Sequence, residues 1–314
     1  MQDPDARTGR GSARCHHGEL LQGVFRDAEG RPRRALVTLP LHRHVHAEFR
    51  ADPAGRWTVT PADRSKALRA ARLTAGDDLP GGHLVLRGDI PVGAGMGSST
   101  SDTVAAIRAV AAYRGTTLTP EVVAELAVRA EDACDPVMFG PRPRLFAHRD
   151  AVTLEAFAPL PPMRVLGCVT GGGAPVDTLA LPEPAAADIP AFEELRGRLR
   201  RALVAADVAD VGRVCTTGAR LNQSILPKPE LPTLEGIADD TGAAGVQVAH
   251  SGNVAGLIFG ARLPDVADRL RAATRLLERH GIPVTAEFRP AHDDPRPGAE
   301  TPDRGSCLLG ARRR

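Results

Sequence analysis

Lysine is nearly absent from this 314-residue chain: Lys66 and Lys228 are the only two among its 40 basic residues. Arginine supplies the rest, which reads as the codon bias of a GC-rich genome rather than as a binding patch. The 38 acidic residues bring the formal net charge to +2, so no global field draws the chain toward nucleic acid or a membrane surface. Aromatics are scarce, at 3% with one Trp and one Tyr, which disfavours a surface that stacks unpaired bases. No apolar run reaches the roughly 18 residues of a membrane-spanning helix. The polar opening MQDPDARTGRGSARC lacks the apolar core of a signal peptide. Five dispersed cysteines (Cys15, Cys134, Cys168, Cys215, Cys307) form no CxxC pair and no metal-finger spacing. Free thiols in a reducing cytoplasm are therefore expected.

The hydrophobic share of 42% is ample for a globular core. Pro-, Arg- and Asp-rich composition predicts disordered tails over 1–12 and 291–314. Between them, a soft boundary separates an N-terminal mixed α/β domain (13–170) from a C-terminal one (171–290). Alternating apolar and polar residues predict strands in ALVTLPLHRHVHAEFR, RWTVTPA and HLVLRGDI, with a helix over 64–75. A helix runs from Ser101 to a glycine stop at Gly115. Another starts behind Thr119 as N-cap with Pro120 at its first position. The second half reads as helices over 191–206, 207–222 and 231–241. Strand GVQVAHSG, strand VAGLIFG, a helix in LPDVADRLRAATRLLERHG and strand PVTAEFRP follow. This alternation predicts an α+β fold whose C-terminal part is ferredoxin-like.

Chemistry concentrates in GDIPVGAGMGSSTSDTVAAIRAV, residues 88–110, where glycines and hydroxyls stand between a strand and a helix. Glycine lets backbone N–H groups converge on an anion, and the helix start adds unsatisfied donors and the positive end of its dipole. Pro91, Gly93, Gly95, Gly97, Ser98, Ser99 and Thr100 are thus the candidate phosphate loop. The spacing fits neither G-x-x-x-x-G-K-[ST] nor the dinucleotide G-x-G-x-x-G. Two further small-residue segments stand out, HHGELLQGVF (16–25) and VAHSGNVAGLIFG (248–260). Each alone is compatible with a plain turn.

PVGAGMGSSTSD resembles the P-x-x-x-G-L/M-G-S-S-A motif of the GHMP kinases, whose loop wraps the triphosphate of ATP. The other two segments stand where that superfamily carries its first and third motifs. GELLQG, DIPVGAGMGSSTSD, LPKP and QVAHSGNVAG are together similar to the branch that phosphorylates L-threonine for adenosylcobalamin synthesis. The residue before GEL departs from that branch, being His17 rather than Cys. The resemblance implies the GHMP kinase fold, ATP and Mg2+ as co-substrate and cofactor, and a small hydroxy-amino acid as acceptor. It also implies substrate contacts from the first and third motifs: His17, Gly18, Glu19, Ser251, Gly252 and Asn253.

Phosphoryl transfer to an alcohol needs metal charge near the phosphates and a group to take the hydroxyl proton. Glu131 and Asp135 stand four apart in AEDACDPVMFG, which a helix would place on one face, with Asp132 turned to solvent. Glu131 with Ser99 is the candidate magnesium site and Asp135 the candidate base, or a group that positions the hydroxyl. His250 is a candidate substrate or phosphate contact. Lys228 in LPKP could reach a carboxylate or phosphate, and Asn222 and Gln223 could read an amino acid. Arg14 is a weaker charge-stabilising candidate. His42, His44 and His46 alternate on one strand face, and nothing completes a zinc site with them.

The expected activity is phosphorylation of L-threonine to O-phospho-L-threonine. The alternatives are a kinase for a related hydroxy-amino acid or amino alcohol, or a non-catalytic sensor that binds ATP and a metabolite. A homodimer is compatible with the sequence, although no heptad or apolar stripe specifies one.

Overall fold

The two longest strands, β1 (Gly9–Arg26) and β2 (Pro32–Ala51), form one antiparallel hairpin. Its turn is held by Asp27, whose Oδ1 accepts the backbone N–H of Glu29 and of Arg31. We describe this architecture from a computed structural model covering residues 7–88, 95–171, 186–249 and 252–291. The hairpin is the spine of a sheet in the order β10-β7-β9-β8-β1-β2-β4-β3. The remaining strands of that path are β3 (Trp57–Thr60), β4 (Gly82–Arg87), β7 (Met163–Val169), β8 (Gly245–Val248), β9 (Val254–Gly260) and β10 (Val284–Phe288). A short hairpin, β5 (Arg144–Ala147) and β6 (Val152–Ala156), hangs from β2.

Three helices, α1 (Ser65–Ala75), α2 (Ser98–Arg114) and α3 (Pro120–Glu131), cover one part of the sheet. Helix α2 is buried around most of its circumference. Its alanines explain why: small side chains let β1, α1 and α3 all approach it, leaving no polar face to solvent. Helices α4 (Ile189–Val204) and α5 (Val208–Leu221) share a second core with β1, β2 and Phe288. Helices α6 (Leu231–Thr241) and α7 (Val266–Arg279) pack on β7, β8 and β9 in a third. Thr119 accepts from the Val122 N–H with Pro120 at the first helical position, and Gly115 closes α2 in the left-handed region, as the local sequence predicts.

The strand order β10-β7-β9-β8, antiparallel throughout, is the ferredoxin-like arrangement expected for the second half. It includes β7, which stands before residue 171, and β8 joins β1, so one sheet runs across both halves. Three local expectations are corrected. The chain enters β1 at Gly9, inside the expected N-terminal tail, because its pairing with Phe49 and beyond orders residues 9–12. Ala291, at the start of the other expected tail, is fully buried and its N–H donates to the Pro40 carbonyl. Residues 1–6 and 292–314 lie outside the described residues. Helix α3 stops at Glu131, because Asp132 takes φ 65° and caps it. Among the described residues no helix is long and apolar enough to cross a membrane.

Candidate active site

Strand β1 loses its regular register between Arg14 and Leu21, a disruption of the kind that re-aims side chains at functional sites. The slip contains His16, His17, Gly18 and Glu19, and it meets the glycine loop directly. The Gly18 N–H donates to the Gly95 carbonyl at 3.0 Å. Gly95, at φ 81°, also touches the third motif: a Cβ there would stand 3.0 Å from the Gly252 Cα and 2.5 Å from the Ala249 Cβ. Glu19 pairs across the sheet with Val248, at the edge of that motif. The three segments that the sequence separates are therefore one contact in space. Pro91, Gly93, His250 and Ser251 lie outside the described residues.

Gly97 opens α2 at φ 66° with no side-chain cap. The first-turn N–H groups of this helix thus keep no side-chain acceptor from the cap residue, the condition under which a helix start takes an anion. A Cβ at Gly97 would overlap the His16 ring and lie 3.4 Å from Asp135 Oδ2. Hydroxyls of the same turn reach the two expected carboxylates. Ser99 Oγ donates to Glu131 Oε2 at 2.6 Å, and Thr100 Oγ1 donates to Asp135 Oδ2 at 3.4 Å. The Asp135 N–H returns a bond to Thr100 Oγ1 at 3.3 Å.

Glu131 and Asp135 thus meet as expected, but not as neighbours on one helix face. The left-handed cap at Asp132 turns the chain back, and the Thr100 hydroxyl holds Asp135 from the other side. Asp132 is exposed, as expected. Burial pushes the Glu131 carboxyl up to about 7, with the Asp135 charge adding to it and the Ser99 bond and Lys66 opposing. Burial also works against ionisation of Asp135. His16, His148 and Thr100 together outweigh it and hold the Asp135 pKa below its ordinary value.

The 31% identity of the chain to the L-threonine kinase of Salmonella typhimurium extends over 273 residues, 84% of this chain and 87% of the relative. The chain belongs to the GHMP kinases. Residues 65–140 match the family model described as the GHMP kinases N terminal domain. The L-threonine kinase of Citrobacter freundii is 29% identical over 79% of this chain and 85% of its own. Homoserine kinase from Cytophaga hutchinsonii superposes with a TM-score of 0.68 over 93% of this chain and 97% of that one. At 14% identity, that likeness speaks for the shared α+β fold alone. As a GHMP kinase the protein is a phosphotransferase acting on a hydroxyl acceptor.

Whether a GHMP kinase with these residues can hold magnesium is answered by Glu131. Its side chain is 4% exposed, and Oε1 is buried with no hydrogen-bond partner while Oε2 faces the Ser99 hydroxyl. A buried carboxylate oxygen beside a hydroxyl is a hard-oxygen donor set suited to magnesium, so the residues fit the ion. The one metal-compatible group of three among the described residues is His16, Glu19 and Asp135, with ligand atoms within 4.8 Å of one another. There the His16–Asp135 contact already takes up the space, and an imidazole is a poor magnesium ligand. His42, His44 and His46 stay on β2 and join no such group.

The remaining expected residues divide. Lys228 is buried and its ammonium donates to the Gly252 carbonyl, so it supports the third motif from behind. Burial lowers its pKa, against the charges of Glu19 and Glu230. Asn253 is buried, and its carbonyl accepts the Thr170 N–H at 2.7 Å. His17 is buried with Nδ1 3.0 Å from Gln247 Oε1 and its ring against Phe288. Burial, with the His16 charge adding to it, drives its pKa down to about 4. Arg14 donates to the Leu41 carbonyl. Gln223 is turned inward too, its amide donating to the Ala219 carbonyl and its carbonyl accepting the Lys228 N–H.

Asn222 is a correction. Its amide donates to the carbonyls of Gln22 and Gly218, both at 2.9 Å, which spends both hydrogens on the scaffold. Asn222→Ala is expected to lower stability by about 1–3 kcal/mol, the cost of leaving buried carbonyls unpaired. The acceptor KM should stay unchanged. A thermal melt beside steady-state kinetics checks both.

Three participants escaped sequence reasoning: His16 as the partner of Asp135, His148 near the same carboxylate, and Lys66 beside Glu131. The paired histidines ahead of GEL and the scarcity of lysine were the available signals. Both lysines of the chain act on carboxylates of this region. Nothing in the sequence marks His148.

Proposed function

We propose that this GHMP kinase transfers the γ-phosphoryl group of ATP to the hydroxyl of L-threonine, giving O-phospho-L-threonine and ADP. The observation that carries the choice of acceptor is the span of the L-threonine kinase likeness. It extends over 84% of this chain and 87% of the relative, far more than the N-terminal family domain alone. The loop from Gly95 to Thr100, with the start of α2, holds the phosphates through backbone N–H groups. Ser99 and Glu131 would hold magnesium, which when bound would supply positive charge to the phosphates. Asp135 accepts the hydroxyl proton as the acceptor oxygen bonds to phosphorus and the bond to the ADP oxygen breaks. Gly18, Glu19, His17, Gly252 and Asn253 shape the acceptor side, with Lys228 fixing Gly252.

Purified protein with Mg-ATP and a panel of threonine, serine, homoserine and amino alcohols tests this by ADP release. Turnover highest in kcat/KM with L-threonine is expected. Turnover confined to another alcohol would overturn the acceptor while keeping the transfer. ATP binding with no turnover on any of them would favour the sensor reading instead.

A further inference from the structure

The imidazole of His16 is 1% exposed and lies between two acceptors. Its Nδ1 is 3.2 Å from the Gly18 carbonyl and its Nε2 is 3.0 Å from Asp135 Oδ2. A carbonyl can only accept, so Nδ1 carries a proton. Nε2 stands at ion-pair distance from the carboxylate without the alignment of a hydrogen bond, and the Asp135 charge favours the doubly protonated ring. The ring occupies the space that a Cβ on Gly97 would fill, and the backbone N–H of His16 is 3.4 Å from the Met96 carbonyl. The ring is therefore clamped between the first motif and the phosphate loop. Asp135 is different, keeping 20% side-chain exposure. The pair has one sealed end and one open end.

We infer that His16 is the positioning residue of the transfer step, fixing Asp135 through Oδ2 so that Oδ1 is presented to the acceptor hydroxyl. Oδ2 is the oxygen that meets the His16 ring and the Thr100 hydroxyl, which assigns the proton to Oδ1. When the hydroxyl O–H bond breaks, its proton passes to Oδ1, and His16 keeps both of its own. The imidazole also joins the first motif to the phosphate loop. It touches the residue that opens α2 and the carbonyl of Gly18, whose N–H grips Gly95. Glu19 and His148 also face this pair, and Glu131 faces Asp135, so a misplaced carboxylate would meet His148 in place of the acceptor.

This assignment rests on the kinase reading above, and the experiment separates the two. His16→Ala and His16→Gln are assayed with whichever acceptor the wild type turns over, beside thermal melts. His16→Ala should lose on the order of 100-fold in kcat, the cost of an ångström-scale misplacement, with KM for ATP nearly unchanged. Added imidazole, which fits the space vacated, should restore part of kcat. His16→Gln, which can still donate to Oδ2, should retain more activity than the alanine variant. A folded His16→Ala enzyme within about threefold of wild-type kcat overturns the assignment. So does a loss that neither imidazole nor glutamine relieves, which would mark a merely structural ring. Independently of turnover, nitrogen-15 spectra of histidine-labelled protein should show one ring protonated at both nitrogens near neutral pH. That signature should vanish in Asp135→Asn. If it is present while no alcohol is phosphorylated, the kinase reading fails and the His16–Asp135 pair stands. If it is absent in the wild type, the pair fails.

Discussion

Replacing Asp135 with Asn is expected to lower kcat by about 100- to 10,000-fold, the range for removing a general base, while KM for ATP changes little. The asparagine is nearly isosteric and can still meet the Thr100 hydroxyl, so the loop from Gly95 to Thr100 keeps its shape. It cannot take the acceptor's proton, and it leaves the His16 ring facing an amide in place of the carboxylate 3.0 Å away. Ser99 and Glu131, the proposed magnesium residues, are untouched, and loss of a neighbouring negative charge eases ionisation of Glu131. A fall in kcat and kcat/KM together marks an interaction made in the transition state. Steady-state ADP release at saturating Mg-ATP, with nucleotide affinity measured separately, reads both quantities. A variant within about threefold of wild-type kcat would show that Asp135 does not carry the proton. Catalysis would then rest on metal charge and on placement of the hydroxyl.

The contrast between Glu131 and His16 shows which parts of this site a sequence can carry. Glu131, Ser99 and the glycine loop are legible because each is local: a run of small residues before a helix has few uses other than bringing backbone amides to an anion. Helix α3 and its Thr119–Pro120 start are legible for the same reason. The end of α3 is not, since nothing in AEDACDP forbids another turn. It is the bonds from Cys134 to the His148 carbonyl and from Asp135 to Thr100 that draw the chain aside. The β5–β6 hairpin is hidden by arginines and prolines that break the apolar alternation in PRPRLFAHRD. His16 meets Asp135 only because β1 slips register against β2 within the first motif, and register slips leave no periodic trace. Asn222 misled for the complementary reason: an amide near a Pro-rich turn looks free until the backbone carbonyls it caps are in view.

The burial of Glu131, the proposed magnesium residue, makes the stability of the metal-free protein depend on pH, and His17 opposes it. Glu131 has its carboxyl raised from 4.5 to about 7, so the folded state binds its proton more tightly than the unfolded chain. Its contribution is fully present below about pH 4.5 and is lost as pH rises toward 7. His17, lowered from 6.5 to about 4, binds its proton more weakly when folded. Its contribution is present above about pH 6.5 and is lost as pH falls toward 4. Each shift corresponds to roughly 3 kcal/mol at full extent, with opposite slopes over nearly the same window. The two slopes oppose each other between pH 4.5 and 6.5, and single variants compared with the wild type should unmask each of them. Glu131→Gln, which keeps the Ser99 bond, should gain stability steadily as pH rises through this window. His17→Gln should lose it. Glu131→Gln should also lose the protection that magnesium gives the wild type near neutrality, and about 100-fold or more in kcat/KM, since charge stabilisation of the transferred group is worth several kcal/mol. Melting series across pH, with chelator and with Mg2+, measure all of this. Parallel curves for wild type and Glu131→Gln in chelator would show that Glu131 ionises in the folded protein as it does in the unfolded chain. Magnesium protection undiminished in the variant would place the ion elsewhere.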